Sequence, residues 1–216
     1  MKRFYLAPAL FIVLTAVRHP GYCSSANADD GWTEVENRDG IGIFTKQSPD
    51  SPIVLAKGLV IIEASPEAIV EVLDDNGGHT EWIPYLLESR RLEAVDDRER
   101  LEYNLFDAPW PASDRDFVFR VTAHPGEQQG RIVFRMKSET SPLMPERDGI
   151  VRGVLLESTF RLTRLGPDKT RVELLFQADP KGWIPLWVVN IVQRAWPFRV
   201  LQRLRERVAA STAAPG

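Results

Sequence analysis

Cysteine is almost missing from this chain. Of its 216 residues one is cysteine, Cys23, and it falls in an N-terminal stretch that reads as a leader. The remainder then has no disulfide, no thiol nucleophile and no thiolate metal ligand. Histidine is scarce as well: beyond that stretch only His79 and His124 remain. Neither has a partner at metal-ligand spacing, so no metal and no cofactor is expected. The G-x-S-x-G, P-loop and glycine-rich dinucleotide signatures are absent from the sequence. The enzyme chemistry left open is acid–base work by Tyr, Asp or Glu in a pocket. No internal repeat, low-complexity tract or interdomain linker is visible, and one domain is expected.

Long apolar runs are missing too. The N-terminal one, residues 4 to 17, has 14 residues, short of the about 20 that cross a bilayer as a helix. Lys2 and Arg3 precede it, and Ala26-Asn27-Ala28 follows, ahead of Asp29 and Asp30. Charge, apolar run and small-residue site in that order predict a cleaved signal peptide over 1–28, with an uncleaved anchor as the alternative. Residues 29–216 then form the exported domain, periplasmic or secreted. Export without disulfides fits a bacterial periplasm. Tyr22 and Pro20 stand where a lipidated cysteine would need a small residue and a leucine, so Cys23 is not read as a lipid anchor. Losing Lys2, Arg3 and Arg18 takes the formal charge from −3 to −6, which argues against nucleic acid as a partner. A monomer is expected.

What is present is pattern. Residues 40–46 alternate in strand fashion, and 53–62 continue after a Ser-Pro-Asp-Ser-Pro turn. Ser65 as N-cap, Pro66 at the first helical position and Glu67 in the first turn predict a helix with Ile69, Val72 and Leu73 on its apolar face. Asn76-Gly77-Gly78 ends it, and a short second helix is predicted over 79–82, before Pro84. Strands follow near 86–95, 99–106, 116–124, 130–138, 150–164 and 170–178, with links short enough for antiparallel neighbours. The run 151–165, about 15 residues, implies a strongly curved sheet. The chain closes with a long helix, where Ile184, Val188, Ile191, Ala195, Phe198, Leu201, Leu204 and Val208 recur at helical spacing. Pro197 is expected to kink it. Helices segregated onto one antiparallel sheet make an α+β fold.

A curled sheet must fill its concave face, with core or with a cavity. Phe117, Phe119 and Val121 share one strand face. Met136 lies on the next strand, where Val133 falls on the other face and a bulge is expected. A packed core and a ligand cavity both account for these residues. On the preceding strand Leu101, Tyr103 and Leu105 alternate with Glu102, Asn104 and Phe106, so one face packs and the other is wet. Glu102 is then solvated or, at a cavity, accepts a hydrogen bond from a ligand hydroxyl or headgroup, with Asn104 or Tyr103 beside it. Arg115 and Asp116, after the Pro109-Trp110-Pro111 turn, read as an ion pair latching that loop. From Lys181 to Arg207 the bases Lys181, Arg194, Arg199, Arg203, Arg205 and Arg207 meet one acid, Glu206. With Trp110, Trp183, Trp187 and Trp196 near the interface, such a stretch would touch anionic membrane headgroups. Equally, bases near a helix C-terminus complement its dipole.

The segments Trp82-Ile83-Pro84, Pro109-Trp-Pro-Ala-Ser-Asp-Arg-Asp-Phe-Val118, Val151-Arg152-Gly153 and Asp179-Pro-Lys-Gly-Trp-Ile-Pro-Leu-Trp-Val-Val-Asn190 occur in an order and spacing that resemble the StAR-related lipid-transfer (START) family, within the helix-grip superfamily. The likeness covers roughly residues 32 to 208. It implies a curved antiparallel sheet wrapped around a C-terminal helix that acts as a lid, over a tunnel holding one sterol, phospholipid or fatty-acid-class ligand. The family's sterol carriers place an acid and an arginine on neighbouring strands in that tunnel. Glu102 falls at the acidic position, Val121 stands at the arginine position, and Arg120 lies on the opposite face, so the pair is half missing. Trp183, Trp187 and Asn190 are the ligand-binding candidates of the closing segment. The expected function is a carrier that binds and transfers one lipid and touches a membrane transiently. The alternative is a helix-grip enzyme, a cyclase or hydrolase acting on a hydrophobic molecule through Glu102.

Overall fold

The computed structural model describes residues 31–96, 98–126 and 130–213. The predicted signal peptide over 1–28, with Cys23, lies outside the described residues. The strands are β1 (Thr33–Arg38), β2 (Ile41–Ser48), β3 (Ser51–Ile62), β4 (Leu86–Ala94), β5 (Glu99–Phe106), β6 (Arg115–Pro125), β7 (Arg131–Ser138), β8 (Val151–Arg152), β9 (Val154–Gly166) and β10 (Lys169–Asp179). Helix α1 (Pro66–Asp74), a single 3₁₀ turn (Asn76–Gly78) and α2 (His79–Trp82) separate β3 from β4, and α3 (Leu186–Ala213) closes the chain. The ten strands of the described residues form one curved sheet in the order β1-β2-β3-β10-β9-β7-β6-β5-β4, antiparallel except that β8 pairs in parallel with β6. This is the α+β helix-grip architecture. No helix among the described residues is long and apolar enough to cross a membrane.

Helix α1 starts as its sequence dictates. Ser65 Oγ accepts from the Ala68 amide at 3.3 Å, Pro66 occupies the first turn, and Ile69, Val72 and Leu73 are buried. Strand β1 has no counterpart among the expected strands because it carries no apolar alternation. Its residues are Thr-Glu-Val-Glu-Asn-Arg, almost all exposed, and it is held to β2 by backbone pairing at the sheet edge.

The long strand expected over 151–165 is broken. At Gly153 a Cβ would stand 2.3 Å from the Phe117 ring, so only glycine lets the chain pass there. The segment before it turns to pair with β6 through Arg115 and Asp116. The bulge expected near Val133 and Met136 is also absent. Strand β7 pairs in unbroken register with β6, and Phe134, not Val133, shares the inward face with Met136.

Helix α3 packs on β3, β2 and β10 and touches α1 and α2. Its second half buries Phe198, Leu201, Leu204 and Val208, the expected face. Its first half does not follow the same stripe: Val189 and Gln193 are buried while Ile191 is 55% exposed. The physical reason is that this half lies over a void, lined by Val188, Val192 and Trp196, rather than against packed strands. The helix continues through Pro197, whose ring sits on β3 at Gly58. A Cβ at Gly58 would stand 3.1 Å from Pro197 Cβ and 2.6 Å from Leu201 Cδ1. Gly58→Val is therefore expected to destabilise the fold by about 1–3 kcal/mol, despite valine's strand preference, by lifting α3 off the sheet. Urea unfolding with an unchanged midpoint would show that α3 does not need this close approach.

Candidate functional site

Between the concave face of the sheet and α3 lies a cavity of about 880 Å³, within the range that holds one lipid-sized or drug-sized ligand. Its floor alternates as strands must: Arg100, Glu102, Asn104 and Phe106 from β5, and Arg115, Phe117, Phe119 and Val121 from β6. Phe134 and Met136 of β7, Phe160 of β9 and Leu174 and Phe176 of β10 complete it. The roof is α3, where Trp196 stacks on Phe176 at 5.7 Å and meets Phe106 edge-on at 5.4 Å. Leu73, His79 and Trp82 close one end. At the other end lie residues 107–112 and 183–185, where Trp110 and Trp183 are 93% and 94% exposed.

Two amides tie the roof down. Gln193 Nε2 donates to Ala178 O at 2.6 Å, and its Oε1 accepts from the Ala178 amide at 3.4 Å. Asn190 Oδ1 accepts from the Val54 amide at 3.0 Å, while its Nδ2 donates to Pro52 O at 3.4 Å.

The closed end is polar and its charges are paired. Arg100 Nε donates to Glu102 Oε1 at 2.5 Å, its Nη1 meets Asp74 Oδ1 at 2.8 Å, and its Nη2 donates to Leu73 O at 3.3 Å. Glu102 is 2% and Arg100 6% exposed. Beside them His79 Nε2 lies 3.2 Å from Leu73 O, and Nδ1 lies 3.3 Å from Ser89 Oγ. A carbonyl can only accept, so Nε2 carries the proton and Nδ1 accepts from the Ser89 hydroxyl. That hydroxyl oxygen in turn accepts from Asn76 Nδ2 at 2.8 Å.

A family model described as START domain matches residues 24–214. The chain belongs to the START family. It is similar to the STAR-related lipid transfer protein from Xanthomonas axonopodis, with 30% identity and a TM-score of 0.75 over 83% of this chain and 99% of that one. Human STARD10 shares the fold at 21% identity and a TM-score of 0.78, over 86% of this chain and 76% of its own. An uncharacterised protein of Pseudomonas aeruginosa is 26% identical over 185 residues, 86% of this chain and 90% of that protein. The mitochondrial steroidogenic acute regulatory protein of Oncorhynchus mykiss is 27% identical over 187 residues. This chain spans 83% of its own length in that match but only 64% of the relative's.

In this START domain the expected site residues separate into two groups. Glu102, Asn104, Phe117, Phe119, Val121, Met136 and Trp183 line the cavity. Tyr103 does not. It alternates to the outer face of β5, packed with Leu101, Val118 and Met144, and its hydroxyl accepts from Arg147. Both faces of β5 are therefore buried, because the 139–150 loop covers the outer one, and no wet face exists there. Burial pushes the Tyr103 phenol up from its ordinary value. Trp187, 67% exposed, and Asn190 also stay out of the cavity, and Asn190 is a roof tether instead.

The expected Arg115–Asp116 latch is not formed. Adjacent strand residues point to opposite faces, and Asp116 is gripped by Arg152 at 2.7 and 3.0 Å while Arg115 turns into the cavity. Trp196 is not membrane-facing but roofs the cavity, as its ring contacts show. Arg199 and Arg203 are exposed on α3, where Arg199 donates to the Tyr85 hydroxyl and Arg203 meets Glu206 at 3.5 Å.

Arg100 and His79 were not among the candidates. Arg100 was legible: it sits two residues before Glu102, which on a strand means the same face.

Burial pushes the His79 imidazole below its ordinary value of 6.5, against the pull of Glu102's charge. The neutral ring is the native form, so between the lowered value and 6.5 the unfolded chain binds a proton that the native one does not. Stability from this group is complete above 6.5 and is lost as pH falls through that window. Thermal melts from about pH 8 down to 5 are expected to show a loss that His79→Asn lacks. Equal slopes in the two proteins would place the acid sensitivity elsewhere.

Proposed function

We propose that this START domain is an exported, non-enzymatic lipid carrier. It takes one hydrophobic ligand of the sterol, phospholipid or fatty-acid class into its cavity and exchanges it during transient contact with a membrane. The observation that carries this reading is the apolar cavity of about 880 Å³ under a tethered roof, with polar groups confined to a few places on its wall. Each methylene moved from water into such a space contributes about 0.8 kcal/mol, so transfer out of water supplies most of the affinity. Kinship with proteins named for lipid transfer supports the same reading.

At the closed end Arg100 and Glu102 offer donors and an acceptor to a hydroxyl or headgroup while neutralising one another. Glu102→Gln is accordingly expected to change which lipid is preferred, since it removes a charge and unbalances Arg100. Exchange is assigned to the open end. Gln193 and Asn190 hold the roof, whereas Trp110 and Trp183 project into solvent from segments beside the opening. Exposed tryptophans of this kind favour the membrane interface. Trp110→Ser with Trp183→Ser is expected to cut liposome-to-liposome transfer several-fold and leave the amount of lipid bound unchanged. Parallel loss of binding and transfer would give these tryptophans to the cavity alone.

The deciding experiment is native mass spectrometry of the protein from its own host, as monomer, with released small molecules identified. A stoichiometric lipid, on a chain lacking residues 1–28, supports the carrier and its export. An empty protein that turns over a hydrophobic substrate overturns the carrier.

A further inference from the structure

The cavity wall holds a second charged residue whose situation differs from that of Arg100. Arg115 is 7% exposed and faces the cavity at the open end. Its Nη1 donates to Ser113 O, and its Nε is buried without a partner. Among the described residues no carboxylate lies within ion-pair distance of it. Asp116 points to the other face and is held by Arg152, and Asp114 Oδ1 accepts from the Ala108 amide at 3.1 Å. Burial pushes the Arg115 guanidinium down from its ordinary value, opposed only by the field of Asp114. Arg100, by contrast, has both Glu102 and Asp74. A buried guanidinium with no counter-charge is costly unless something charged reaches it.

Asn104 is the second unsatisfied group. It is 7% exposed, lines the cavity, and its Oδ1 is buried without a partner. In the β5–β6 ladder Asn104 pairs with Phe117 and Phe106 pairs with Arg115, which makes Asn104 and Arg115 diagonal neighbours on one face. Such neighbours lie roughly 7–8 Å apart at the backbone, within joint reach of one small group. The carboxamide can turn to present its NH₂, so both side chains can donate to the same acceptor.

We propose that Arg115 and Asn104 form an anion receptor at the open end of the cavity. The ligand is then an acidic amphiphile whose carboxylate-like headgroup sits there while its chain extends toward the closed end. This inference rests on the carrier reading above and narrows its ligand class. The two polar stations differ in charge: Arg100 and Glu102 neutralise one another, while Arg115 stands alone. They also differ in place. Arg100 pairs with Val121, six residues along β6 from Arg115, a separation of roughly 20 Å along a strand. The apolar stretch between them is floored by Phe117 and Phe119. A guanidinium suits the task because its fork meets an oxyanion bidentately, and its remaining donors are free of other acids.

The test uses the protein without its leader and displacement of a fluorescent fatty-acid probe by palmitate, palmityl alcohol and methyl palmitate. The wild type is expected to bind the acid about tenfold or more tightly than the alcohol, the worth of one charge-assisted hydrogen-bonded pair. Arg115→Gln is expected to abolish that preference and leave alcohol binding unchanged, with Asn104→Leu losing part of it. Arg115→Lys is expected to keep some preference. Equal binding of acid and alcohol by the wild type overturns the receptor, as does equal weakening of both by Arg115→Gln. In either case the carrier survives. If the wild type takes up neither the probe nor any of the three lipids, the carrier reading itself fails. Displacement of the probe by inorganic phosphate alone would make the pair a free-anion site and overturn the amphiphile. Should Arg115→Gln not fold, the wild-type ratio of acid to alcohol decides the matter.

Discussion

Arg100 holds together two things that usually have separate supports: the end of a helix and the end of a ligand cavity. The last carbonyls of a helix lack intrahelical partners, and α1 carries no base in its own last turn to meet them. Arg100 from β5 and His79 from α2 reach Leu73 O instead, and Arg91 reaches Asp74 O. The same guanidinium holds Glu102. Removing one partner of such a buried pair leaves an uncompensated charge, typically worth about 3–5 kcal/mol. The closed end of the cavity is therefore stiff, and its polar groups are oriented before any ligand arrives. Preorganisation of that kind favours selectivity, because the groups need no ordering on binding.

The roof has the complementary design. A helix end over a void has little packing to hold it, and here backbone-directed amides do part of the holding. Gln193 makes two hydrogen bonds to Ala178 and Asn190 bridges to β3. Opening at those positions would break four side-chain-to-backbone hydrogen bonds at once. The 180–185 segment meets the roof only at Pro185 O among the described backbone bonds, which accepts from the Val188 and Val189 amides, and with the 107–114 segment it carries the exposed tryptophans, so the carrier reading puts passage of a ligand at the end where Arg115 sits. Stiff at one end and accessible at the other, the cavity gives its two polar stations different roles.

Periodicity made most of this architecture readable, and it failed for identifiable reasons. The N-cap at Ser65, the two short helices and the positions of most strands could be read because capping, turn residues and alternation act locally, whereas the order of strands in the sheet, with β3 beside β10 and β7 beside β9, rests on distant pairings. Strand β1 could not, since an exposed edge strand is specified by its neighbour's backbone rather than by its own side chains. The burial of both faces of β5 also escaped, because the covering loop contributes Met144 and Arg147, and nothing in residues 99–106 announces it. Gly153 is similar: its role exists only opposite Phe117. In the site, the inward stripe Phe117, Phe119 and Val121 followed from alternation alone. Asn190 and Trp196 were misplaced because helix α3 buries one face over the sheet and another over the cavity, which a single stripe cannot express.

The position of the arginine is the most consequential departure from what the family resemblance implied. Val121 occupies the site where an arginine was expected across from the acid, yet Val121 is the direct ladder partner of Arg100. The guanidinium has in effect crossed from β6 to the adjacent position on β5. It stays within reach of Glu102, but the two now share a strand two residues apart, so their pairing does not depend on the alignment of β5 with β6. The move also leaves β6 apolar from Phe117 through Val121 on its inward face and concentrates that strand's only inward charge at Arg115. The two cavity arginines lie at opposite ends of the same floor, Arg100 neutralised and Arg115 not, and under the proposed reading that asymmetry would orient a ligand with an acidic head.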